Sequence, residues 1–366
     1  VAQAVGGAEG QTVGVERSVA ERPHPLLPLH TISGFSSGGD MAMIHLVGYS
    51  SATRGATVVG GAPYGCNLLP NSDRFPFGKQ TCQFPAKNED WPAHIRRMER
   101  YIDRHAKESL IDPTAFLLGA RVVLFSSSSD TVVLQPVMRA AAAQLSSYVG
   151  DGGNLQPVFN VPCQHSWPTD DPTMEPASHD GVPFINDCHY DLAGISFRHM
   201  LNRSLSPRVS AKERNLHKVD QRSFIPRGTI VIHGTEMNTI AASQLDDMAL
   251  LYVPVSCARA GGPPCAIHVH YHGCTLENPH WSAMHLGLHE WAEANEIMVL
   301  HPRVRWIDSG PLSNYGCWDW EGSTGAGFDT HEGLQLRTVI NMLEAIGRLG
   351  GAQFVERYQV VSNEIL

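Results

Sequence analysis

The sequence has no long apolar run, no excess of positive charge and no signal-peptide pattern at its start. No apolar run approaches the roughly 18 residues that a membrane-spanning helix needs. The 36 acidic residues outnumber the 27 basic ones, and neither sign forms long runs, which disfavours nucleic acid and membrane surfaces as partners. Residues 1–14 lack the basic and apolar regions of a signal peptide, although a signal that was removed earlier would leave no trace.

The cysteines contain no Cys-x-x-Cys pair, so the spacing typical of zinc sites is absent. There are eight of them, an even number that fits four disulfides in an oxidising compartment and favours a secreted protein, extracellular or periplasmic. The alternative is eight buried thiols in a cytosolic enzyme. Although eight cysteines allow about 105 pairings, neighbours along the chain are favoured. This predicts Cys66–Cys82, Cys163–Cys188, Cys257–Cys265 and Cys274–Cys317.

The chain has 366 residues, of which 42% are hydrophobic, enough to bury a sizeable core. Short β-branched segments alternate with helical patterns, which predicts an α/β domain with a mainly parallel central sheet. Residues 1–25 show little periodicity and are expected to form an extended or poorly ordered lead-in, which leaves 26–366 as one domain. Segments 250–254 and 266–271 are predicted to pair as a hairpin, and 281–295 to form one helix.

One Gly-x-Ser-x-Gly pattern occurs, at Gly34-Phe35-Ser36-Ser37-Gly38. It follows a short apolar run and precedes a helical pattern, which is the setting of a nucleophile elbow. In such an elbow a tight strand-to-helix turn exposes the serine hydroxyl, and the glycines avoid steric collisions. A bare match is also common in loops, so Ser36 needs support from other residues.

Asp130 and His165 supply that support, because each follows a predicted strand and they occur in the chain order of α/β-hydrolases. A serine hydroxyl needs a histidine to accept its proton and a carboxylate to orient the imidazole. Asp130 could instead only cap the helix that follows it. Asp170 and Asp171 are weaker candidates because they come after His165. Taken together, the order and placement favour catalysis.

The oxyanion hole is expected to combine the backbone N–H of Ser37 with that of a residue from another strand end. The best candidate is Cys274 in His272-Gly273-Cys274, far downstream of the elbow, while His233-Gly234 remains a second possibility. If Cys274 is the donor, strands that normally precede the elbow lie near the C-terminus. The α/β-hydrolase fold is then circularly permuted, which is feasible because domain termini often lie close together.

Three alternating histidines offer a different interpretation. His268, His270 and His272 would share one face of a strand, and two histidines at i and i+2 can bind zinc. The strand supplies no obvious carboxylate ligand, however, and buried neutral histidines also pack well against helices. We therefore expect no metal at these positions.

Several motifs together resemble the polyhydroxybutyrate (PHB) depolymerases, specifically their circularly permuted, single-domain type. The similarity covers residues 29 to about 346, and its Cys-Trp-x-Trp and His-Gly-Cys elements are more specific than the serine pattern. The motifs are Gly34-Phe35-Ser36-Ser37-Gly38-Gly39, Ser128-Ser129-Asp130, His165-Ser166-Trp167-Pro168, Tyr252-Val253-Pro254, His272-Gly273-Cys274 and Cys317-Trp318-Asp319-Trp320.

The resemblance implies a secreted, cofactor-free hydrolase of poly- or oligo-3-hydroxybutyrate esters, whose partner is the polyester itself. It implies Ser36 as nucleophile, Asp130 as orienter and His165 as base, with Ser37 and Cys274 as oxyanion donors. Strand-like alternation would place Trp318 and Trp320 on one face, and at least one indole is expected to line the acyl pocket. A feruloyl or acetylxylan esterase and a non-catalytic binding protein on a hydrolase scaffold are the alternatives.

Overall fold

The protein is represented by a computed structural model that describes residues 22–69, 80–232, 234–259, 264–310 and 312–360. None of the helices in these ranges combines the length and apolarity needed to cross a bilayer. The strands are β1 (His30–Phe35), β2 (Thr53–Val59), β3 (Arg121–Phe125), β4 (Leu155–Val158), β5 (Trp167–Thr169), β6 (Glu175–Pro176), β7 (Ile185–Asp187), β8 (Leu216–Asp220), β9 (Thr229–Ile232), β10 (Thr235–Asn238), β11 (Met248–Tyr252), β12 (Ala266–Tyr271) and β13 (Ile297–His301). The helices are α1 (Ser37–Gly48), α2 (Trp91–Lys107), α3 (Gln135–Ser146), α4 (Leu192–Leu201), α5 (Thr239–Ala242), α6 (Pro279–His285), α7 (Leu288–Asn295), α8 (Leu334–Leu349) and α9 (Gly351–Tyr358).

A central sheet of eight strands has the order β4-β3-β2-β1-β12-β13-β11-β8. The six strands from β4 to β13 pair in parallel, and β11 and β8 add antiparallel pairs at one edge. The predicted α/β architecture with a mainly parallel sheet is therefore confirmed. Strand β1 is the first strand of the described residues, and it lies at the centre of the sheet beside β12, which comes from the second half of the chain.

Two hydrophobic cores cover the two faces of this sheet, and β3 shows how the sequence builds both. Val122 and Leu124 belong to the core that also contains residues of α1, α3 and α8. Val123 and Phe125 point to the core that contains residues of α4 and α7. Successive side chains of a strand face opposite sides, so a continuous apolar run is what a doubly covered parallel strand requires.

The predicted hairpin of segments 250–254 and 266–271 is wrong. Both segments form strands, but β13 lies between β11 and β12 in the sheet. Strand β11 is antiparallel to β13 and β8, whereas β12 is parallel to β1 and β13. Alternation along the chain shows which faces of a strand are buried, but it does not identify the neighbouring strand. Here β12 lies in the centre of the sheet because it pairs in parallel with strands that are distant in sequence.

The helix predicted over 281–295 is divided into α6 and α7. The break occurs at Gly287, whose φ of +74° lies in the left-handed region that ends helices. The predicted lead-in at 1–25 lies almost entirely outside the described residues. The assignment of 26–366 to a single domain stays a prediction.

Candidate active site

Ser36 lies in the turn that joins β1 to α1, as the elbow pattern predicted. Its backbone has φ 56° and ψ −125°, a strained combination for a residue with a side chain. The N–H of Ser36 donates to Val59 O on the neighbouring strand at 2.8 Å, which anchors the turn. A side chain at Gly34 would collide with the carbonyl of Gly38. The sequence therefore folds here into the geometry of a nucleophile elbow.

Asp130 and His165 form a buried hydrogen-bonded pair. Asp130 Oδ2 accepts from His165 Nδ1 at 2.9 Å, and both side chains are 4% exposed. The other oxygen, Asp130 Oδ1, accepts the N–H groups of Val132 and Val133 at 2.8 and 2.9 Å. Because a carboxylate only accepts, the His165 proton lies on Nδ1, and Nε2 keeps the lone pair that a general base needs.

The pair lies beside the elbow at the carboxyl end of the sheet. The rings of His165 and Phe35 are 4.7 Å apart between centroids, and Phe35 directly precedes Ser36. Among the described residues no hydrogen bond joins Ser36 Oγ to His165. The structure thus places Ser36, Asp130 and His165 at the same edge of the central sheet. The contact between Ser36 and His165 remains a prediction.

The segment that follows β12 emerges next to the elbow, because Gly34 pairs with Tyr271 in the β1–β12 register. A methyl group on Gly273 would lie 2.8 Å from the Phe35 ring and 3.3 Å from Ser36 Cβ. Only a residue without a side chain allows so close an approach. Ser37 Oγ lies 3.3 Å from Cys274 Sγ. The two predicted oxyanion residues are therefore neighbours.

His272 holds this segment in place. Its Nδ1 donates to Gly273 O at 2.6 Å, and its Nε2 accepts the N–H of Val304 at 3.1 Å. Burial lowers the pKa of His272 to about 4, so the ring is neutral at neutral pH. Both ring nitrogens are used, which makes His272 a support for the loop. The alternative candidate, His233, lies outside the described residues.

His268 and His270 have partners that account for their burial. His268 contacts Thr31 Oγ1 at 2.9 Å and Ser33 Oγ at 2.8 Å, and His270 Nδ1 contacts Ser33 Oγ at 2.9 Å. Burial lowers the pKa of both imidazoles well below the usual value. These bonds link β12 to β1 through neutral side chains. They favour the packing interpretation of the strand histidines over zinc binding.

The two tryptophans of the Cys-Trp-x-Trp segment do not share a face, contrary to expectation. The segment forms no strand, and Trp318 is 1% exposed, with its ring 4.9 Å from that of Tyr271. Trp318 therefore belongs to the core and cannot line an open pocket. Trp320 does line the small pocket that contains Ser36. Alternation fails here because Gly316 and Gly322 place turns at both ends of the segment.

The four disulfides are the pairs that neighbour pairing predicted, and three of them border the candidate site. One joins Cys274 to Cys317, one residue before Trp318, whose N–H donates to Ser37 Oγ at 3.3 Å. A second includes Cys163, two residues before His165, and a third includes Cys82, which lines the pocket of Ser36. The pairs are Cys66–Cys82, Cys163–Cys188, Cys257–Cys265 and Cys274–Cys317.

Asp40 is a site residue that sequence reasoning missed. It lies in the first turn of α1 and lines the same pocket as Ser36, Ser37 and Trp320. Burial raises the pKa of its carboxyl to about 7, against the opposing effect of the Ala62 N–H, which donates to Oδ1 at 2.6 Å. Acidic residues are common in the first turn of a helix because they interact favourably with the helix dipole. The sequence alone therefore did not mark Asp40 as a site residue.

A larger apolar pocket of about 190 Å³ adjoins the elbow. Phe35 forms one side and Cys274 lies at its edge, so the pocket opens next to the predicted oxyanion loop. Sequence reasoning did not find its other walls, because they come from distant loops and a helix. They include Trp167, Phe184, Trp281 and Leu286.

An elbow serine, a histidine–carboxylate pair and a glycine-lined loop at the carboxyl end of a parallel sheet are the features of an α/β-hydrolase. The protein is similar to the poly(3-hydroxybutyrate) depolymerase of Delftia acidovorans, with 29% identity over 328 residues. The match covers 86% of this chain and 59% of the relative, so the chain spans about three fifths of the relative's length. No protein-family model matches the chain.

Two solved structures resemble the fold. One is a PHB depolymerase in which a serine is replaced by alanine, complexed with an R3HB trimer. It is 26% identical, has a TM-score of 0.70 and covers 88% of this chain and 96% of its own. The other is the PHB depolymerase from Penicillium funiculosum, also 26% identical with a TM-score of 0.70, covering 91% of this chain and 98% of its own. The resemblance to PHB depolymerases predicted from the motifs is therefore confirmed, while the circularly permuted, single-domain type stays a prediction.

Proposed function

We propose that this protein is a serine esterase that hydrolyses poly- or oligo-(3-hydroxybutyrate) through an acyl-enzyme on Ser36. The proposal rests above all on the buried hydrogen bond of 2.9 Å between Asp130 and His165 beside the Ser36 elbow. The similarity to PHB depolymerases supports the choice of substrate, and the relative complexed with an R3HB trimer gives its chemical class.

In the proposed first step, Ser36 Oγ attacks the ester carbonyl while His165 Nε2 accepts the hydroxyl proton. Asp130 holds the imidazole and stabilises the imidazolium that forms. The imidazolium then gives its proton to the departing alkoxide, which leaves as the hydroxyl end of the product. Water, activated by the same imidazole, hydrolyses the acyl-enzyme and regenerates Ser36.

The backbone N–H groups of Ser37 and Cys274 are the proposed donors to the oxyanion of the tetrahedral intermediate. Their side chains lie 3.3 Å apart, which supports the assignment. The disulfide of Cys274 and the contact of Ser37 with Trp318 N–H hold both residues before substrate arrives. Such preorganisation is what makes an oxyanion hole effective.

The substrate is proposed to lie against the apolar pocket of about 190 Å³ beside Phe35 and against Trp320. A polyester of 3-hydroxybutyrate carries a methyl branch and no charge along its chain, which suits these apolar walls. Specificity would come from fit and desolvation against these apolar walls, and polar residues such as Glu277, Asn278 and Arg303 also line the pocket.

We further propose that the protein is secreted, that 26–366 form one catalytic domain, and that the α/β-hydrolase fold is circularly permuted. Four disulfides fit an oxidising compartment. The central strand β1 is the first described strand and its neighbour β12 is the twelfth, which supports the permutation. The proposed partner is the polyester or oligoester, with no role for nucleic acid or membranes.

The decisive test measures release of 3-hydroxybutyrate from a suspension of the polyester and from short oligoesters. A fluorophosphonate probe is applied in parallel to the folded protein and to Ser36→Ala. We expect clearing of the suspension, product release and probe labelling at Ser36, all lost in the variant. Labelling tests the nucleophile independently of the substrate.

Two outcomes would reject parts of the proposal. Turnover of acetylated or feruloylated sugars without release of 3-hydroxybutyrate would indicate a carbohydrate esterase and would reject the substrate. Absence of labelling at Ser36 in folded protein, together with absence of turnover, would indicate a non-catalytic binding protein and would reject the mechanism.

A further inference from the structure

A second group of chemically active side chains lies away from the catalytic site, at the opposite end of α1. His24, Asp112 and His331 each point one ligand atom to a common place, and these atoms all lie within 4.8 Å of one another. His24 Nε2 is 3.0 Å and His331 Nε2 is 3.5 Å from Asp112 Oδ1. We propose that these three residues form a binding site for a divalent transition-metal ion such as Zn²⁺.

The spacing suits a tetrahedral ion. Zinc binds imidazole nitrogen and carboxylate oxygen at about 2.0–2.1 Å, which separates neighbouring ligand atoms by about 3.3 Å. The two measured separations from Asp112 Oδ1 lie on either side of this value. Two imidazoles and one carboxylate leave the fourth position to water, which can reach the site because His24 and His331 are 25% and 17% exposed.

The charge of the site also favours a cation. The Asp112 side chain is fully buried, and one oxygen, Oδ2, accepts the N–H of Ser51 at 2.8 Å. The other oxygen faces the two imidazoles. Within the described ranges neither Lys nor Arg forms an ion pair with Asp112. His24, His331 and the Ser51 N–H already contact this carboxylate, and a dication held by the two imidazoles would place a positive charge directly against it.

The protein positions these ligands without help from an ion. The Asp112 N–H donates to Gly48 O at 2.9 Å, and the His331 N–H donates to Leu110 O at 2.8 Å. The rings of His24 and His331 both pack on Tyr49, with centroid separations of 4.8 and 4.6 Å. Three segments that are distant in sequence are therefore held together before binding, which reduces the entropic cost of coordination.

Binding requires a shift of protons within the imidazoles. In the structure His331 Nε2 lies 2.7 Å from Gly48 O, and His24 Nε2 faces Asp112 Oδ1, so both Nε2 atoms carry the proton. An ion at this place needs the Nε2 lone pairs, which requires the tautomers protonated at Nδ1. The number of bound protons is unchanged, and Gly48 O keeps its bond with the Asp112 N–H.

The expected role is stability. The ion would connect the segment before β1, the segment after α2 and the turn before α8. Helix α1 has 12 residues, so the site lies about 18 Å from Ser36 along the helix axis. Occupancy should therefore raise the unfolding temperature and leave ester turnover unchanged.

The test starts from protein stripped with a chelator and dialysed, to which Zn²⁺ is added in a calorimetric titration. We expect one ion per chain and a rise in the unfolding midpoint of about 4 °C at a free zinc concentration about 100 times the dissociation constant. Co²⁺ in its place should give the intense visible absorption of a four-coordinate ion. His24→Gln and His331→Gln should each weaken binding at least about tenfold, because glutamine keeps a donor near Nε2 but is a poor ligand.

His189→Gln is the matched control, because His189 forms a similar pair with Asp187 at 3.1 Å but is 89% exposed. Its zinc affinity should equal that of the unchanged protein. The proposal is overturned if the unchanged protein binds no Zn²⁺, or if the double variant His24→Gln with His331→Gln binds it as tightly. Far-ultraviolet circular dichroism and ester turnover that match the parent would show that all four variants are folded.

Discussion

The two ends of α1 are held by different chemistry. At its first turn, the Ser36 elbow is bordered by the disulfides of Cys274 and Cys82, and a third disulfide holds the loop of His165. At its last turn, Gly48 lies beside the His24–Asp112–His331 cluster, which is joined by hydrogen bonds and ring packing without a covalent link. The end that carries the proposed catalytic residues needs fixed loops from distant parts of the chain, and disulfides hold these loops in place. The other end relies on side chains that can change their protons and ligands.

Of the changes that test this comparison, removal of the proposed nucleophile should have the largest effect on activity. Ser36→Ala should lower turnover of a 3-hydroxybutyrate oligoester at least about 10⁴-fold, because no other residue can form the acyl-enzyme. The unfolding midpoint should move by less than about 2 °C, since Ser36 Oγ makes no hydrogen bond among the described residues. Initial rates and differential scanning fluorimetry check both values. A stable variant that keeps one tenth of its activity would contradict the assignment.

Disruption of one disulfide should separate its structural role from its catalytic role. Cys274→Ser with Cys317→Ser should destabilise the fold by about 4 kcal/mol in the loop-closure picture, for a separation of 43 residues. It should also lower kcat/KM about 10- to 100-fold, because the oxyanion segment loses its fixed position. Chemical denaturation and steady-state kinetics at 20 °C measure the two effects.

The matched control is Cys257→Ser with Cys265→Ser, which opens a bridge that lies away from the site. For its separation of 8 residues, the expected loss is about 2.5 kcal/mol. Turnover of the folded protein should stay within about twofold of the parent. Equal catalytic losses in the two double variants would show that the Cys274–Cys317 bridge has no special role at the site.

Acid should destabilise the fold through the histidines that are buried in the central sheet. Burial lowers the pKa of His301 to about 3, and His30 and His272 to about 4, from about 6.5 in the unfolded chain. The unfolded state therefore binds more protons below pH 6.5, so stability is complete above that pH and falls as the pH decreases. Each such histidine contributes a slope of about 1.4 kcal/mol per pH unit.

His301→Gln tests this pH dependence. Its Nε2 contacts His289 Nε2 at 2.8 Å, and glutamine can retain that contact. The free energy of unfolding, obtained from urea titrations, should fall between pH 7.5 and pH 5.0 in both proteins. The fall should be about 2 kcal/mol smaller in the variant than in the parent. The exposed His189→Gln should show the parental difference. An unchanged difference in His301→Gln would mean that His301 does not titrate as a buried group.

Asp40 should produce the smallest of these effects, a change in the pH dependence of activity. Its carboxyl has a pKa of about 7 and lies in the Ser36 pocket, so its ionisation above pH 7 places negative charge near the oxyanion. Activity should therefore decline above pH 7, by on the order of 1 kcal/mol or about fivefold in kcat/KM. Asp40→Asn should remove the decline above pH 7 and leave the activity at pH 6 close to that of the parent. A decline that persists in Asp40→Asn would exclude Asp40 as its cause.

The positions of the proposed catalytic residues were predictable because each follows a strand. The pattern around Ser36 and the abrupt polar segments before Asp130 and His165 are local signals, and parallel strands place their carboxyl ends at one edge. The disulfide pairs followed from neighbouring positions along the chain. The α/β class followed from the alternation of strand and helix patterns.

The features that sequence reasoning missed depend on contacts between distant segments. The burial of Trp318 follows from its packing on Tyr271, and β13 separates β11 from β12 through long-range pairing. The pocket walls Phe184 and Trp281 come from separate loops and helices. Periodicity shows which face of a segment is buried but not which segment covers it.

The pairing of β1 with β12 also determines when the active site can form. Ser37 and Cys274 touch across 237 residues of chain. At the usual ribosomal rate of about 5–20 residues per second, roughly 10–50 s pass between synthesis of the elbow and synthesis of its oxyanion partner. The nascent chain therefore carries the proposed nucleophile long before its oxyanion partner exists, and the site cannot assemble until β12 and the segment after it have been synthesised.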